Sequence, residues 1–156
     1  MRVYLVQHGE AQPEEVSPER ELTPRGRSDL ERVATLLASC GVRFAKVYHS
    51  GKTRALQTGE LLAARLAPGV QPEPLPGINP NDPVAERLRG WSEDTLMVGH
   101  QPFMGKLAAQ LLAGRLEPSV VDYRQGTVAC LERDAAGCWV LAWTVRPELL
   151  AGGSPA

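Results

Sequence analysis

The sequence predicts a three-layer α/β protein, in which helices flank a mostly parallel sheet that closes in an antiparallel hairpin. Short apolar runs alternate with segments whose apolar residues recur at helical spacing. The last third instead carries two strand-like runs joined by a short turn. The 156 residues are 43% hydrophobic, which suits one core. We therefore expect a single domain over residues 1–150 and a frayed tail over residues 151–156.

The first predicted unit is a strand followed by a long loop and a helix. Residues 2–7 centre on a continuous apolar run, which is typical of a strand buried in a parallel sheet. Residues 10–21 are polar, contain two prolines and lack periodicity, so we expect a loop there. Thr23 is a favourable N-cap and Pro24 a favourable first helical residue, and the helical spacing that follows ends at Gly41.

The second unit repeats the order of strand and helix. Residues 44–49 are a strand candidate, and residues 53–66 carry apolar side chains at helical spacing up to a Pro-Gly pair. The proline-rich residues 70–81 lack periodicity and are expected to cover the surface. Residues 83–88 are interpreted as a short helix.

The third unit leads into the hairpin. Residues 95–98 are a third apolar strand, and residues 102–112 are a third helix that a glycine ends. Residues 127–133 and 138–145 are strand-like, and the four residues between them, DAAG, favour a hairpin turn.

Polar side chains follow three of the apolar strands, which is where ligands bind in open α/β sheets. His8 and His100 each come directly after a strand and beside a glycine, and Arg54 opens the helix after the second strand. Two histidines and an arginine without a carboxylate or cysteine cluster favour phosphate over a metal. One imidazole can attack phosphorus, while a second, protonated imidazole and the arginine neutralise the phosphoryl oxygens. Either histidine alone would be read as a surface residue, so the prediction depends on all three.

Charge and apolar patterning exclude several classes of partner. Lys and Arg number 17 against 18 Asp and Glu, a formal net charge of -1 that disfavours nucleic-acid arms and polybasic membrane patches. No run approaches the roughly 20 apolar residues of a membrane span, and no signal-peptide pattern opens the chain. The three scattered cysteines suit reduced thiols, so we expect a cytoplasmic protein.

Four segments, in chain order, resemble the motifs of a known family. VYLVQHGEA, LTPRG, HSGKTRALQT and LMVGHQP resemble the signature segments of the histidine phosphatase superfamily, which has the phosphoglycerate-mutase-like fold. The short length and the closing hairpin most resemble the small SixA-type phosphohistidine phosphatases. This resemblance implies a phosphatase that needs no cofactor. It would act on a phosphorylated protein, with phosphohistidine as the modified residue, or on a small phosphorylated molecule.

The resemblance also implies roles for individual residues. His8 would be the nucleophile that becomes phosphorylated, Arg54 would clamp the phosphoryl oxygens, and His100 would hydrogen-bond to them. The residues expected to bind or shape the phosphate pocket are Gln7, Gly9 and Ser50, with Thr58 packing behind Arg54.

One departure from the family pattern concerns charge. The family has arginine where this chain has Gln7, and glutamine lacks both the cation and the bidentate fork of arginine. Lys52, Arg20 and Arg25 are the candidates to supply the missing positive charge.

The second departure concerns the general acid that protonates an alkoxide leaving group. Asp82 and Glu86 are the candidates for this role. A site without such an acid favours leaving groups that depart easily, such as the imidazole of phosphohistidine. The alternatives are a small-molecule phosphomonoesterase or mutase, and a degenerate member that binds phosphorylated partners without efficient turnover.

Overall fold

The computed structural model describes residues 1–84, 88 and 90–151. Within these ranges the chain forms six strands, three α-helices and a short 3-10 helix. Their order is β1 (Arg2–Gln7), α1 (Pro24–Ser39), β2 (Lys46–His49), α2 (Thr53–Leu66), β3 (Glu73–Pro74), β4 (Thr95–Gly99), α3 (Phe103–Ala113), β5 (Val128–Arg133), β6 (Trp139–Val145) and the 3-10 helix Pro147–Leu150.

The six strands form one sheet in the order β3-β2-β4-β1-β5-β6. The pairs β2–β3, β2–β4 and β1–β4 are parallel, whereas β1–β5 and β5–β6 are antiparallel. This confirms the mostly parallel sheet and the closing hairpin. In the register of β1 with β4, Gln7 lies opposite Gly99, so the residues that follow these strands emerge side by side.

Helices cover both faces of the sheet, which confirms the three layers. Tyr4 and Val6 of β1 point into a core shared with α1 and α2, and Val3 and Leu5 point into a second core shared with α3. Both sets are almost completely buried. A strand covered on both faces has no polar side, which explains why β1 is a continuous apolar run rather than an alternating one.

The start of α1 is tied to the loop that follows β1. Thr23 is the N-cap, and its hydroxyl accepts a hydrogen bond from the Gly26 amide at 2.9 Å. The Thr23 amide donates to the Glu10 carbonyl at 2.9 Å. A Cβ at Gly26 would lie 2.3 Å from the same carbonyl oxygen, so only glycine lets the loop lie directly on the helix.

Several expected boundaries differ from the structure. The segment over residues 70–81, expected to be irregular, contains the exposed two-residue strand β3, which pairs with β2. The second strand begins at Lys46 rather than at residue 44, because Phe44 packs in the core before strand pairing starts. Residues 85–87 of the helix expected over residues 83–88, and all but the first residue of the expected frayed tail, lie outside the described residues. No helix in the described ranges is long and apolar enough to cross a membrane.

Candidate active site

Three side chains converge at the edge where the parallel strands end. His8 follows β1, His100 follows β4, and Arg54 is the second residue of α2. The imidazole centroids of His8 and His100 lie 4.9 Å apart, with the ring planes inclined at 54°. Arg54 Nε donates to His8 Nε2 over 3.3 Å. The structure thus brings together the three residues that the strand ends predict.

The hydrogen bonds of His8 determine its tautomer. Nδ1 lies 2.7 Å from the carbonyl oxygen of Gly9, which can only accept, so Nδ1 carries the proton. Arg54 Nε–H can only donate, so Nε2 accepts with its lone pair. The amide of His8 also donates to the Gly99 carbonyl at 3.1 Å, which ties the residue to the end of β4. The unprotonated Nε2 therefore faces the guanidinium.

Burial keeps His8 uncharged. The residue is 7% exposed, and burial lowers its pKa to about 4, with the nearby charges of Arg54 and Arg20 acting in the same direction. The hydrogen bond with the Gly9 carbonyl opposes this shift without reversing it. At neutral pH the Nε2 lone pair is therefore available for attack on an electrophile.

His100 is also neutral in the free protein. It is 2% exposed, and burial lowers its pKa to about 3, with the charge of Arg54, and of His8 once His8 is protonated at acid pH, acting in the same direction. The protonated second imidazole expected from the sequence is therefore absent in the free protein at neutral pH, because the site is buried and already carries cations. Its Nε2 lies 2.6 Å from Ser50 Oγ, and its Nδ1 is buried without a hydrogen-bond partner among the described residues.

Thr58 braces the nucleophile loop against the helix that carries Arg54. Its hydroxyl accepts from the Gly9 amide at 3.0 Å and donates to the Arg54 carbonyl at 2.8 Å. Thr58 is completely buried. Gly9 packs closely against α1, because a Cβ there would lie 2.8 Å from Leu30 Cδ1 and would displace that side chain.

Gln7 contributes no charge at the end of β1. Its side-chain Oε1 is buried and has no hydrogen-bond partner in the part of the chain that the structure describes. Its backbone is fully paired, because the amide donates to the Thr127 carbonyl at 3.2 Å and the carbonyl accepts from the Gly126 amide at 3.0 Å. The backbone of Gln7 is thus paired with neighbouring residues, while its side-chain Oε1 has no hydrogen-bond partner among the described residues.

Gly126 supports the site in a way that the sequence reading missed. Its amide lies 3.0 Å from the carbonyls of both Gln7 and His8, and its φ of 84° lies in the left-handed region that favours glycine. The glycine directly before the strand predicted over residues 127–133 was the available sequence signal for a turn. Nothing in the sequence indicates that this turn contacts β1, because β5 reaches β1 from the far end of the chain.

The candidate acids and the remaining candidate side chains have other contacts. Asp82 Oδ2 accepts from the backbone amide of Asn79 at 2.7 Å, so this carboxylate stabilises the turn in which it lies. Glu86 lies outside the described residues.

His49 is buried, and its Nδ1 accepts from the backbone amide of Gly51 at 3.0 Å. Lys52 is exposed at the start of α2. Across the described ranges, no three His, Cys, Asp or Glu side chains are grouped so that they could hold a metal ion.

Known proteins resemble this chain in sequence. The profile of the histidine phosphatase superfamily (branch 1) matches residues 3–79. The human mitochondrial serine/threonine-protein phosphatase PGAM5 is 36% identical over 69 residues, which are 44% of this chain and 24% of PGAM5. The chain thus spans about a quarter of that relative. An uncharacterised protein of Picosynechococcus is 31% identical over 126 residues, which cover 74% of this chain and 75% of that protein.

The fold has a match over almost its whole length. The protein histidine phosphatase SixA, in a structure with tungstate, superposes with a TM-score of 0.80 at 27% identity, and the match covers 96% of this chain and 99% of SixA. A SixA protein of Agrobacterium tumefaciens shares the fold with a TM-score of 0.73 at 20% identity, over 93% of this chain and 97% of that one. Sequence profile, relatives and fold agree, and the chain belongs to the histidine phosphatase superfamily.

Proposed function

We propose that this chain is a phosphatase that passes a phosphoryl group through His8 to water. The observation that carries the proposal is the state of His8: neutral, with Nδ1–H bound to a carbonyl and Nε2 beside a guanidinium. SixA is described as a protein histidine phosphatase, which supports phosphohistidine in a protein as the substrate class. A small phosphorylated molecule is the second class of substrate.

The first step forms the covalent intermediate. The Nε2 lone pair of His8 attacks phosphorus, the N–P bond forms, and the bond from phosphorus to the leaving atom breaks with its electron pair on that atom. Arg54 donates to the phosphoryl oxygens as their charge redistributes. The incoming anion also raises the pKa of His100 from its low value in the free protein, which favours hydrogen bonding from that imidazole.

The second step returns His8 to its starting state. Water attacks the phosphorus of phospho-His8, the N–P bond breaks, and its electron pair returns to Nε2. Inorganic phosphate then leaves, and the proton released by the water passes to phosphate or solvent. The Nδ1–H bond to Gly9 holds the ring in one orientation through both steps.

The leaving group determines which substrates react well. Asp82 Oδ2 already accepts from the backbone amide of Asn79, so in the part of the chain that the structure describes Asp82 does not offer a free general acid. A site without a dedicated acid releases protonated imidazole and aryl oxide more readily than an alkoxide. We expect turnover of phosphohistidine and aryl phosphates, and poor turnover of simple alkyl phosphates.

The test follows the protein and the product in one reaction. After mixing with an aryl phosphate or a phosphohistidine peptide, mass spectrometry should find acid-labile phosphate on His8 while free phosphate accumulates. His8→Ala should release none. His49→Asn is the matched control, because asparagine can still accept from the Gly51 amide, and it should keep turnover. Undiminished phosphate release by His8→Ala would refute the mechanism.

The unsatisfied Gln7 Oε1 favours a second candidate function. A pocket with one arginine and a buried acceptor could bind phosphorylated partners without efficient turnover. The same reaction distinguishes the two: stoichiometric binding of the phosphorylated molecule without free phosphate over hours supports the binding function. Continued phosphate release supports the phosphatase.

A further inference from the structure

The position of the ring proton of His100 decides whether this residue can bind a phosphoryl oxygen. Phosphoryl oxygens only accept hydrogen bonds, so the ring nitrogen that meets them must carry a proton. His100 is neutral in the free protein, because it is 2% exposed and burial lowers its pKa. It therefore carries a single ring proton, either on Nδ1 or on Nε2. The ring of His8 lies 4.9 Å away, centroid to centroid, so both imidazoles are placed to act on one phosphoryl group.

The hydroxyl of Ser50 contacts the Nε2 atom of His100. In the parallel register of β2 with β4, His49 lies opposite Val98, so Ser50 follows one strand end close to where His100 follows the other. Ser50 Oγ lies 2.6 Å from His100 Nε2, and the backbone amide of Lys52 donates to the same oxygen at 3.5 Å. A hydroxyl oxygen has two lone pairs, so it can accept from both groups at once.

Two placements of the protons fit this contact. In the first, Nε2–H of His100 donates to Ser50 Oγ, and Nδ1 keeps a lone pair. In the second, the Ser50 hydroxyl donates to Nε2, and Nδ1 carries the proton. Nδ1 is buried and has no hydrogen-bond partner in the described part of the chain. A buried N–H without an acceptor is rarer in native proteins than an acceptor without a donor, so the first placement is favoured.

We propose that Ser50 is a positioning residue that keeps the proton of His100 on Nε2. This inference rests on the proposed function of the site. The two histidines then have opposite tautomers. His8 carries its proton on Nδ1, against the Gly9 carbonyl, and keeps a lone pair on Nε2, whereas His100 carries an N–H at Nε2. The lone pair suits attack on phosphorus, and the N–H suits binding of the phosphoryl oxygens.

The first test detects the tautomers directly and needs no turnover. Long-range proton–nitrogen NMR spectra of the imidazole rings at neutral pH show which nitrogen carries the proton, and His100→Asn assigns the His100 signals by their loss. His100 should have a protonated Nε2 and an unprotonated Nδ1. Signals that place the proton on Nδ1, or that average the two nitrogens, would overturn the proposal.

The other two histidines provide the references for this spectrum. His8 should show the opposite pattern, because its Nδ1 lies 2.7 Å from the carbonyl oxygen of Gly9. His49 should show the pattern expected of His100, because its Nδ1 accepts from the Gly51 amide at 3.0 Å and its proton must lie on Nε2. Both tautomers are thus represented within the same protein.

The second test removes the hydroxyl. In Ser50→Ala, Nε2 of His100 loses its acceptor, so the ring should exchange between the two tautomers and its nitrogen signals should average. We expect kcat/KM for an aryl phosphate to fall roughly three- to tenfold, because the ring is no longer held in one tautomer and orientation. Ser50→Thr, which keeps the hydroxyl, should retain both the Nε2–H signal and turnover.

Ser39→Ala is the matched control for the loss of a serine hydroxyl. Ser39 is exposed at the end of α1, and its hydroxyl donates to the Leu36 carbonyl at 2.7 Å. This change should alter neither the tautomer of His100 nor kcat/KM. A Ser50→Ala protein that keeps the proton on Nε2, or that matches Ser39→Ala in kcat/KM, would refute the role of Ser50.

The two proposals fail in different ways. A protein whose His100 carries its proton on Nε2 but that never forms phospho-His8 contradicts the phosphatase and leaves the role of Ser50 in placing the proton. Normal turnover with the proton of His100 on Nδ1 contradicts only the role of Ser50.

Discussion

His8 and His100 occupy similar sequence contexts but differ in their hydrogen bonds. Each follows a buried strand beside a glycine, yet His8 Nδ1 bonds to a backbone carbonyl while His100 Nε2 lies against the Ser50 hydroxyl. In the first arrangement the Nε2 lone pair accepts a hydrogen bond from the Arg54 guanidinium. In the second, Nε2 lies against a neutral hydroxyl, which can exchange its partner when an anion arrives. This difference supports the proposed roles of His8 in nucleophilic attack and of His100 in phosphoryl binding.

Thr58→Val tests the brace beneath the nucleophile. Valine keeps the shape but removes the hydroxyl, so the buried Gly9 amide loses its acceptor. Leaving a buried donor unsatisfied costs about 1–3 kcal/mol. We expect the free energy of unfolding, measured by urea denaturation, to fall by that amount. We also expect kcat/KM for an aryl phosphate to fall about tenfold, because the His8 loop loses its connection to α2.

Thr35→Val is the matched control for this change. The hydroxyl of Thr35 also donates to the carbonyl four residues earlier, in Glu31, but the residue is exposed on α1 and has no contact with the site. Its loss should change stability by less than about 0.5 kcal/mol and leave kcat/KM unaltered. A Thr58→Val protein that behaves like Thr35→Val would show that the brace is dispensable.

At the scale of elements, the long periodic segments were predictable and the short contacts were not. The bounds of β1 and α2 agree with the sequence prediction at both ends, because each has a clear period and a clear stop. Strand β3 has two exposed residues, one of them proline, and so carries no period to detect. Its pairing with β2 is decided by the path of the chain rather than by local preference.

The candidate site likewise has residues that the sequence predicted and contacts that it did not predict. His8, Arg54 and His100 were predicted because each follows a strand whose direction the pattern reveals. The contact of Gly126 with the carbonyls of Gln7 and His8 was not predicted, because Gly126 belongs to a turn whose position depends on distant residues. The neutral state of His100 was missed as well, since burial is a property of the folded site.

Gly26→Ala tests the contact between α1 and the loop after His8. Alanine is favoured over glycine within a helix by about 1 kcal/mol. Here its Cβ would lie 2.3 Å from a backbone oxygen of Glu10, which cannot rotate away. The clash should outweigh the helix preference and lower the free energy of unfolding by about 1–3 kcal/mol. Activity on an aryl phosphate should fall as well, because the displaced loop carries His8.

Ser28→Ala, on the exposed face of the same helix, separates this clash from the helix preference. It removes a surface hydrogen bond from Arg32 and should change stability by less than about 0.5 kcal/mol. If Gly26→Ala proves as stable as Ser28→Ala and equally active, the close approach does not constrain the site.

At the scale of the whole molecule, β1 lies where the sheet changes from parallel to antiparallel strand pairing. It pairs in parallel with β4 and antiparallel with β5, and cores pack on both of its faces. His8 therefore emerges from a strand that is covered on both faces, which gives it rigid support and also removes it from water. The same burial that keeps the nucleophile neutral makes the stability of the entire fold sensitive to acid.

This coupling predicts how stability depends on pH. The folded pKa values of His8 and His100 are about 4 and about 3, below the ordinary histidine value of 6.5. The unfolded chain therefore binds protons that the folded chain excludes, so stability is complete above pH 6.5 and falls as the pH drops. Between pH 6.5 and pH 5, the loss should be roughly 1.5 kcal/mol for each histidine, or about 3 kcal/mol together.

Urea unfolding at pH 7.5, 6.5, 5.5 and 5 measures this loss of stability. A comparison with His8→Asn determines how much of the loss is due to His8. The substitution removes the imidazole of His8, so the variant should lose about 1.5 kcal/mol less stability than the unaltered protein over the same interval. Burial also lowers the pKa of His49, but that residue is present in both proteins and cancels in the difference. Identical pH slopes for the two proteins would show that His8 is not held neutral by the fold. The lone pair on which the proposed attack depends would then have to be explained without burial.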